Sequence, residues 1–312
     1  MAYKILLSRK LPLPHLSLAG EPIEICIYQD GGHGYENAQV YCTTGFDKVD
    51  AALLDSLPDS IGLIANIGVG TDNIDLAAAQ AKGIAVSITP VVTEDTADLA
   101  FALILSASRR ITVNENFARS GQWSQTQPFA AMGQSVHGKR LGVLGFGAIG
   151  QAVARRAHGF GMSVIYHGPN RKQESEATHD AQYQADLQDF LAQIDILTLH
   201  CPLTDHTRHI LNKDSLAKLK TGAVIVNTGR GALIDENALL ETLKSGHIGA
   251  AGLDVFENEP NIHPGLLKLD NVTLTPHIGS ATNECRTQMA MRAIGNVMSF
   301  LEHGKPIDVV VK

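Results

Sequence analysis

The chain has 312 residues, 44% of them apolar and 18% charged, enough to build hydrophobic cores and too apolar for a disordered or tail-like protein. At roughly 100–200 residues per domain, two domains are expected. With 25 Lys and Arg against 32 Asp and Glu, the net charge of −7 offers no general basic field for nucleic acid or an anionic membrane surface.

The amino terminus has only Ile5-Leu6-Leu7 as an apolar run before Ser8-Arg9-Lys10, so it reads as a strand over 3–7 and not as a cleavable leader. Apolar runs predict further strands at 23–27, 40–43, 63–65 and 84–86, with a helix over 75–82 closed by Gly83. Together these resemble a small flavodoxin-like unit. Thr93-Glu94-Asp95-Thr96 supplies a cap and an acidic first turn for a long helix that continues through 97–110 and on to Arg119. Its densest apolar stretch, 99–107, is far shorter than the roughly 20 residues a bilayer requires. No membrane partner is expected.

A second series opens at 139–145 and continues with strands at 163–166, 196–199, 223–226, 252–255 and 272–274. It closes with a helix over 283–302 that ends at His303-Gly304 and leaves a short tail. These strands are continuous runs of Val, Ile and Leu, the pattern of a parallel sheet covered by helices on both faces. Cys26, Cys42, Cys201 and Cys285 form no CxxC pair and no metal-ligand spacing, and are too few to staple a secreted domain. A reducing, cytoplasmic setting and no metal are expected. His15, His33, His137 and His247 lack a chemical context and read as exposed.

Gly145-Phe146-Gly147-Ala148-Ile149-Gly150 follows one of these strands and opens a helix over 151–159. In that context Gly145 makes the tight turn, Gly147 lets the backbone approach a pyrophosphate and Gly150 allows close helix–strand packing. The helix N-terminus adds free N–H groups and a positive dipole end. About 20 residues on, where an acidic residue would bind the ribose hydroxyls of NAD, the sequence reads Val164-Ile165-Tyr166-His167-Gly168-Pro169-Asn170-Arg171-Lys172. No carboxylate follows the strand directly, and Asn170, Arg171 and Lys172 carry donors and charge suited to a 2′-phosphate. NADPH is the expected cofactor, with NADH second.

Three later segments end strands on the edge where open α/β sheets bind ligands: Asn227-Thr228-Gly229-Arg230-Gly231, Asp254-Val255-Phe256-Glu257-Asn258-Glu259-Pro260 and Thr275-Pro276-His277-Ile278-Gly279-Ser280. They bring an Arg, a carboxylate and a His to that edge. At this point the chain resembles the D-isomer-specific 2-hydroxyacid dehydrogenases, within them the glyoxylate/hydroxypyruvate reductase (2-ketogluconate reductase) group. The resemblance extends to Asn66-Ile67-Gly68-Val69-Gly70-Thr71-Asp72 and Ala97-Asp98-Leu99-Ala100. It implies two Rossmann-like domains: a doubly wound dinucleotide-binding domain over 99–284, inserted in a flavodoxin-like substrate domain made of 1–98 and 285–312. The active site is then expected in the cleft between them, and the protein is expected to be a homodimer.

For a 2-keto acid, Arg230 suits the carboxylate with two donors and a charge that does not titrate, and the N–H groups of Gly68-Val69-Gly70 complete the cradle. His277 suits proton donation to the developing alkoxide, and Glu259 orients it. The resemblance also implies Ser280 and Trp123 at the substrate. On the cofactor it implies Thr96, Gly145 to Gly150 (with Phe146, Gly147, Ala148 and Ile149), His167, Asn170, Arg171, Lys172, His200, Cys201, Pro202, Thr207, Thr228, Gly229, Arg230, Asp254, His277 and Gly279. The expected activity is NAD(P)H-dependent reduction of glyoxylate or hydroxypyruvate to a D-2-hydroxy acid. Alternatives are a 2-ketogluconate or arylpyruvate reductase, or a dinucleotide-sensing protein without turnover.

Overall fold

A computed structural model describes residues 3–11, 15–29 and 32–311. The chain divides into two compact units, residues 1–92 with 281–312, and residues 93–280.

In the first unit the elements run β1 (Lys4–Leu7), a short hairpin of β2 (Ser17–Leu18) and β3 (Glu21–Pro22), β4 (Glu24–Ile27), β5 (Val40–Thr44), α1 (Ala51–Ser56), β6 (Leu63–Ile67), α2 (Leu76–Ala81) and β7 (Ala85–Ser87). The parallel order β4-β1-β5-β6-β7 is the flavodoxin-like arrangement. Alternate residues explain why these strands are apolar throughout. Leu6, Tyr41, Ile64 and Val86 face one core with Leu54 and Ala79, while Ile5, Leu7, Val40, Cys42, Leu63 and Ala65 face another with Val297. Asp50 and Asp75 cap α1 and α2 by accepting the N–H groups of Leu53 and Ala78.

The second unit holds α3 (Thr93–Arg109), α4 (Ile111–Arg119), β8 (Arg140–Leu144), α5 (Ala148–His158), β9 (Ser163–His167), α6 (Gln173–His179), β10 (Ala181–Tyr183), α7 (Leu187–Gln193), β11 (Ile196–Leu199), α8 (Lys213–Leu216), β12 (Ala223–Asn227), α9 (Glu236–Ser245), β13 (Ile248–Leu253) and β14 (Val272–Leu274). Its parallel sheet, ordered β10-β9-β8-β11-β12-β13-β14, is doubly wound and reverses direction between β8 and β11. One face packs on α3 and α5 through Ala97, Ala100, Leu103, Ile104, Val153 and Ala157, the other on α7 and α9 through Phe190, Leu191, Leu239 and Leu243. The chain then returns to the first unit with α10 (Asn283–His303), capped by Thr282 and closed by Gly304, and with β15 (Val309–Val311), antiparallel to β7.

Several expectations shift. The unit boundary falls at 92/93, not 98/99, because α3 is one uninterrupted helix whose buried face belongs to the second core. The other boundary falls at 280/281, not 284/285. The long helix does not run on to Arg119. Arg110 adopts a left-handed conformation (φ 56°, ψ 38°) that ends α3 and starts α4 on a new course. The strand expected at 252–255 begins earlier, at Ile248, where small residues hid it, and Asp254 leaves the ladder. The tail after Gly304 contributes an edge strand.

Candidate active site

The glycine-rich turn stands where the second unit's sheet reverses, between β8 and α5. Gly145 has φ +94°, and a Cβ there would lie 2.4 Å from the Cys201 N, so both the dihedral and the approach of the 200–201 backbone require glycine. A Cβ on Gly150 would meet the Gly145 carbonyl at 2.3 Å, whereas Gly147 opens onto free space. No side chain caps α5, which leaves its N-terminus to a ligand. The Phe146 side chain turns inward, stacked on Tyr166 at 4.1 Å. Ala148 and Ile149 begin the helix.

On the loop after β12, Asn227 acts from both ends of its carboxamide. Its Nδ2 donates to the Arg230 carbonyl at 2.8 Å and its Oδ1 accepts the Gly229 N–H at 3.0 Å. This buried side chain shapes the turn that presents Arg230, whose guanidinium NH1 donates to the Gly229 carbonyl at 2.8 Å. Thr228, 9% exposed, has an Oγ1 without a hydrogen-bond partner among the described residues. A buried hydroxyl in that state fits a ligand that completes it.

Asp254, 1% exposed, stitches the end of β13 to the segment that carries His277. Its Oδ1 accepts the Thr275 hydroxyl at 2.6 Å and the Ile278 N–H at 2.8 Å, and its Oδ2 accepts the Gly279 N–H at 2.9 Å. Its carbonyl accepts the His277 N–H at 2.8 Å. Burial raises the Asp254 carboxyl above its ordinary range despite these donors. So held, His277 sits in the left-handed region at φ 54°, uncommon for a non-glycine residue.

The His277 Nδ1 lies 2.7 Å from the Glu259 Oε2, and the Glu259 Oε1 accepts the Phe256 N–H at 2.9 Å. Burial pushes the Glu259 carboxyl up, but the His277 bond, the Phe256 N–H and the charges of His277 and Arg230 outweigh it and hold it below its usual range. Arg230, Glu259 and His277 therefore act on one another. The loop bearing Glu259 is braced by the buried Glu236, which accepts the Glu257 N–H at 2.9 Å, and by His209 against Glu257 at 2.6 Å.

Three comparisons bear on this arrangement. Residues 101–279 match the family described as D-isomer specific 2-hydroxyacid dehydrogenase, NAD binding domain. The chain belongs to this family. It is 41% identical to a glyoxylate reductase of Thermococcus litoralis over 100% of this chain and 98% of that protein. A crystal structure of a glyoxylate reductase from Paecilomyes thermophila matches with a TM-score of 0.89 at 37% identity, covering 99% of this chain and 98% of the other. An NADPH-dependent glyoxylate/hydroxypyruvate reductase from Sinorhizobium meliloti, solved with NADP and malonate, matches with a TM-score of 0.89 at 31% identity, covering 99% and 97%.

The remaining expected residues of this dehydrogenase fall as follows. Thr96 is buried beside Gly279. His200 is neutral, since burial lowers its imidazole to about 3, and its Nε2 meets the Thr198 hydroxyl at 2.8 Å. Burial raises the Cys201 thiol to about 11, which excludes a thiolate nucleophile near neutrality. Thr207 closes its own loop, donating to the Pro202 carbonyl at 2.7 Å. His167 Nδ1 is 3.0 Å from the Gln184 carbonyl, while Asn170, Arg171 and Lys172 are exposed. Gly68-Val69-Gly70 follows β6 in the first unit, with the Gly70 carbonyl accepting the Asn66 amide at 2.8 Å and the Gly68 carbonyl accepting the Thr89 N–H at 2.9 Å. Trp123 is 69% exposed and Ser280 half-buried. His247, expected to be exposed, is half-buried with its ring on the Leu216 carbonyl. The roles of Asn227 and Thr275 do not show in the sequence, although an Asn at a strand end two residues before Gly229 is a turn-forming signal. Among the described residues no helix is long and apolar enough to cross a membrane, and no cluster of three metal-ligating side chains occurs.

Proposed function

We propose that this chain reduces small 2-keto acids to D-2-hydroxy acids, glyoxylate and hydroxypyruvate first among them, with NADPH preferred over NADH. The observation that carries this reading is the His277–Glu259 pair beside Arg230. Arg230 binds the substrate carboxylate with its planar donors and permanent charge. The bound nicotinamide dinucleotide supplies the hydride. His277, its Nδ1 held by Glu259, gives a proton from Nε2 to the oxygen that becomes the hydroxyl. Glu259 fixes the orientation of the ring. Gly147, the α5 N-terminus and the Thr228 hydroxyl would hold the dinucleotide, and Asp254 fixes the 275–279 segment that carries His277. The exposed donors of Asn170, Arg171 and Lys172 support the preference for a 2′-phosphate.

The test compares kcat/KM for glyoxylate and hydroxypyruvate with NADPH and NADH in parallel. Rapid oxidation with NADPH ahead supports the whole reading, and NADH ahead removes the assignment of the loop. Binding of either dinucleotide without turnover of any small 2-keto acid supports a sensor instead. Ile111, Trp123, Phe129 and Met132 are exposed apolar residues on α4 and the segment after it, and they support a homodimer formed through that region. A monomer in light scattering would refute it. Four free cysteines suit a reducing, cytoplasmic setting.

A further inference from the structure

The strand that leads into the 167–172 loop ends in a tyrosine that organises it. Tyr166 is fully buried, and its hydroxyl makes two bonds: it donates to the Glu176 Oε1 at 2.7 Å and accepts the Lys172 N–H at 2.7 Å. Glu176, on α6, takes the Arg171 guanidinium in a fork, with Nε at 2.9 Å from Oε1 and NH2 at 2.8 Å from Oε2. A second tyrosine fixes the start of the loop, the Tyr183 hydroxyl donating to the Gly168 carbonyl at 3.0 Å. The loop is therefore ordered at both ends, and the arginine it presents is already paired. The Glu176 carboxylate is largely covered while Arg171 reaches solvent. Arg171, then the Tyr166 hydroxyl, hold that carboxyl below its usual range, so it is charged at neutral pH.

We propose that Glu176 sets how strongly this loop tells NADPH from NADH. A 2′-phosphate recruits the Arg171 guanidinium only in competition with the carboxylate that holds it, whereas a 2′-hydroxyl makes no such demand. Arg171 and Lys172 bring two positive charges to the loop and Glu176 removes one, so the field at a 2′-phosphate is moderate and both cofactors are accepted. The proposal rests on the reading that residues 167–172 receive the adenosine ribose. Glu176 acts through Arg171 and is a positioning residue.

The test measures Kd by calorimetry for NADP+, NAD+ and adenosine 2′,5′-bisphosphate on the full chain, with kcat/KM for both reduced cofactors. Glu176→Gln keeps the size of the side chain and an acceptor for Tyr166 but removes the charge. It is expected to tighten NADP+ and the bisphosphate about three- to fivefold, the scale of one exposed ion pair, and to leave NAD+ unchanged. Glu176→Ser, which removes the same charge on a helix facing solvent, must move the ratio in the same direction. A purely structural role would weaken NADP+ and NAD+ alike, and that result overturns the proposal. So does an unchanged ratio in the Gln and Ser variants while Arg171→Ala weakens NADP+ selectively, which leaves the loop reading standing. If Arg171→Ala changes neither cofactor, the loop reading fails and the proposal with it.

Discussion

Replacing Glu259 by Gln removes one charge from the site without changing its outline. The carboxylate accepts the His277 Nδ1–H at 2.7 Å and the Phe256 N–H at 2.9 Å, and glutamine retains the size to reach both. A hydrogen bond involving a charged group contributes about 1.5–3 kcal/mol, a neutral one about 0.5–1.5, so the variant loses about 1–2 kcal/mol. On the proposed mechanism that loss falls on the His277 ring, which donates the proton. At about 1.4 kcal/mol per factor of ten, kcat falls about five- to thirtyfold. The assay is kcat and KM for glyoxylate at saturating NADPH, between about pH 5 and 9. An unchanged kcat, or a loss confined to KM, would refute the orienting role of Glu259.

Gly145→Ala places a methyl group against the 200–201 backbone at a dihedral of +94°, and should destabilise the chain by at least about 2 kcal/mol and abolish dinucleotide binding. A melting temperature and Kd equal to the parent's would show that the turn can yield. Asp47 carries a pH dependence of stability. Burial raises its carboxyl, but Arg9, Ser8 and Thr44 bring it down to about 2. A carboxyl lowered on folding stabilises above its unfolded value, and that contribution fades as pH falls from about 4 to 2. Asp47→Asn should therefore cost about 1–2 kcal/mol at neutral pH, allowing for water around the half-exposed Arg9, and flatten stability across that acid window. Urea midpoints with the same acid slope in both proteins would contradict it.

The sheets were legible because the central strands are covered on both faces, which leaves strands such as Ala223–Asn227 and Ile196–Leu199 mostly Val, Ile and Leu. The glycine-rich turn was legible for a related reason: Gly145 and Gly150 are imposed by backbone contacts that any side chain would break. Short amphipathic pieces were not, since α6 buries no residue and β13 continues after Ile248 with glycine and alanine. The break at Arg110 carries no local signal, because arginine is a good helix former and nothing in its type marks a left-handed dihedral. In the site, Arg230, Glu259 and His277 stood out through motif order. Of the groups that place them, Thr275 and Glu236 have partners 21 residues away, Asn227 bonds its own turn, and periodicity reports neither kind of pairing. The sequence places Tyr166 at the end of a strand, but does not show that its hydroxyl ties Glu176 to the loop.

The central claim is that Arg230 binds the substrate carboxylate and His277 donates the proton, on a dinucleotide site that does not depend on either for affinity. The most direct measurement is turnover of glyoxylate by Arg230→Ala and His277→Gln, with the dinucleotide Kd determined on the same preparations. The account predicts turnover lowered by about a hundredfold or more in each, the scale of a lost general acid or charged anchor, with Kd close to the parent's. Turnover within a few-fold of the parent in either variant would contradict it.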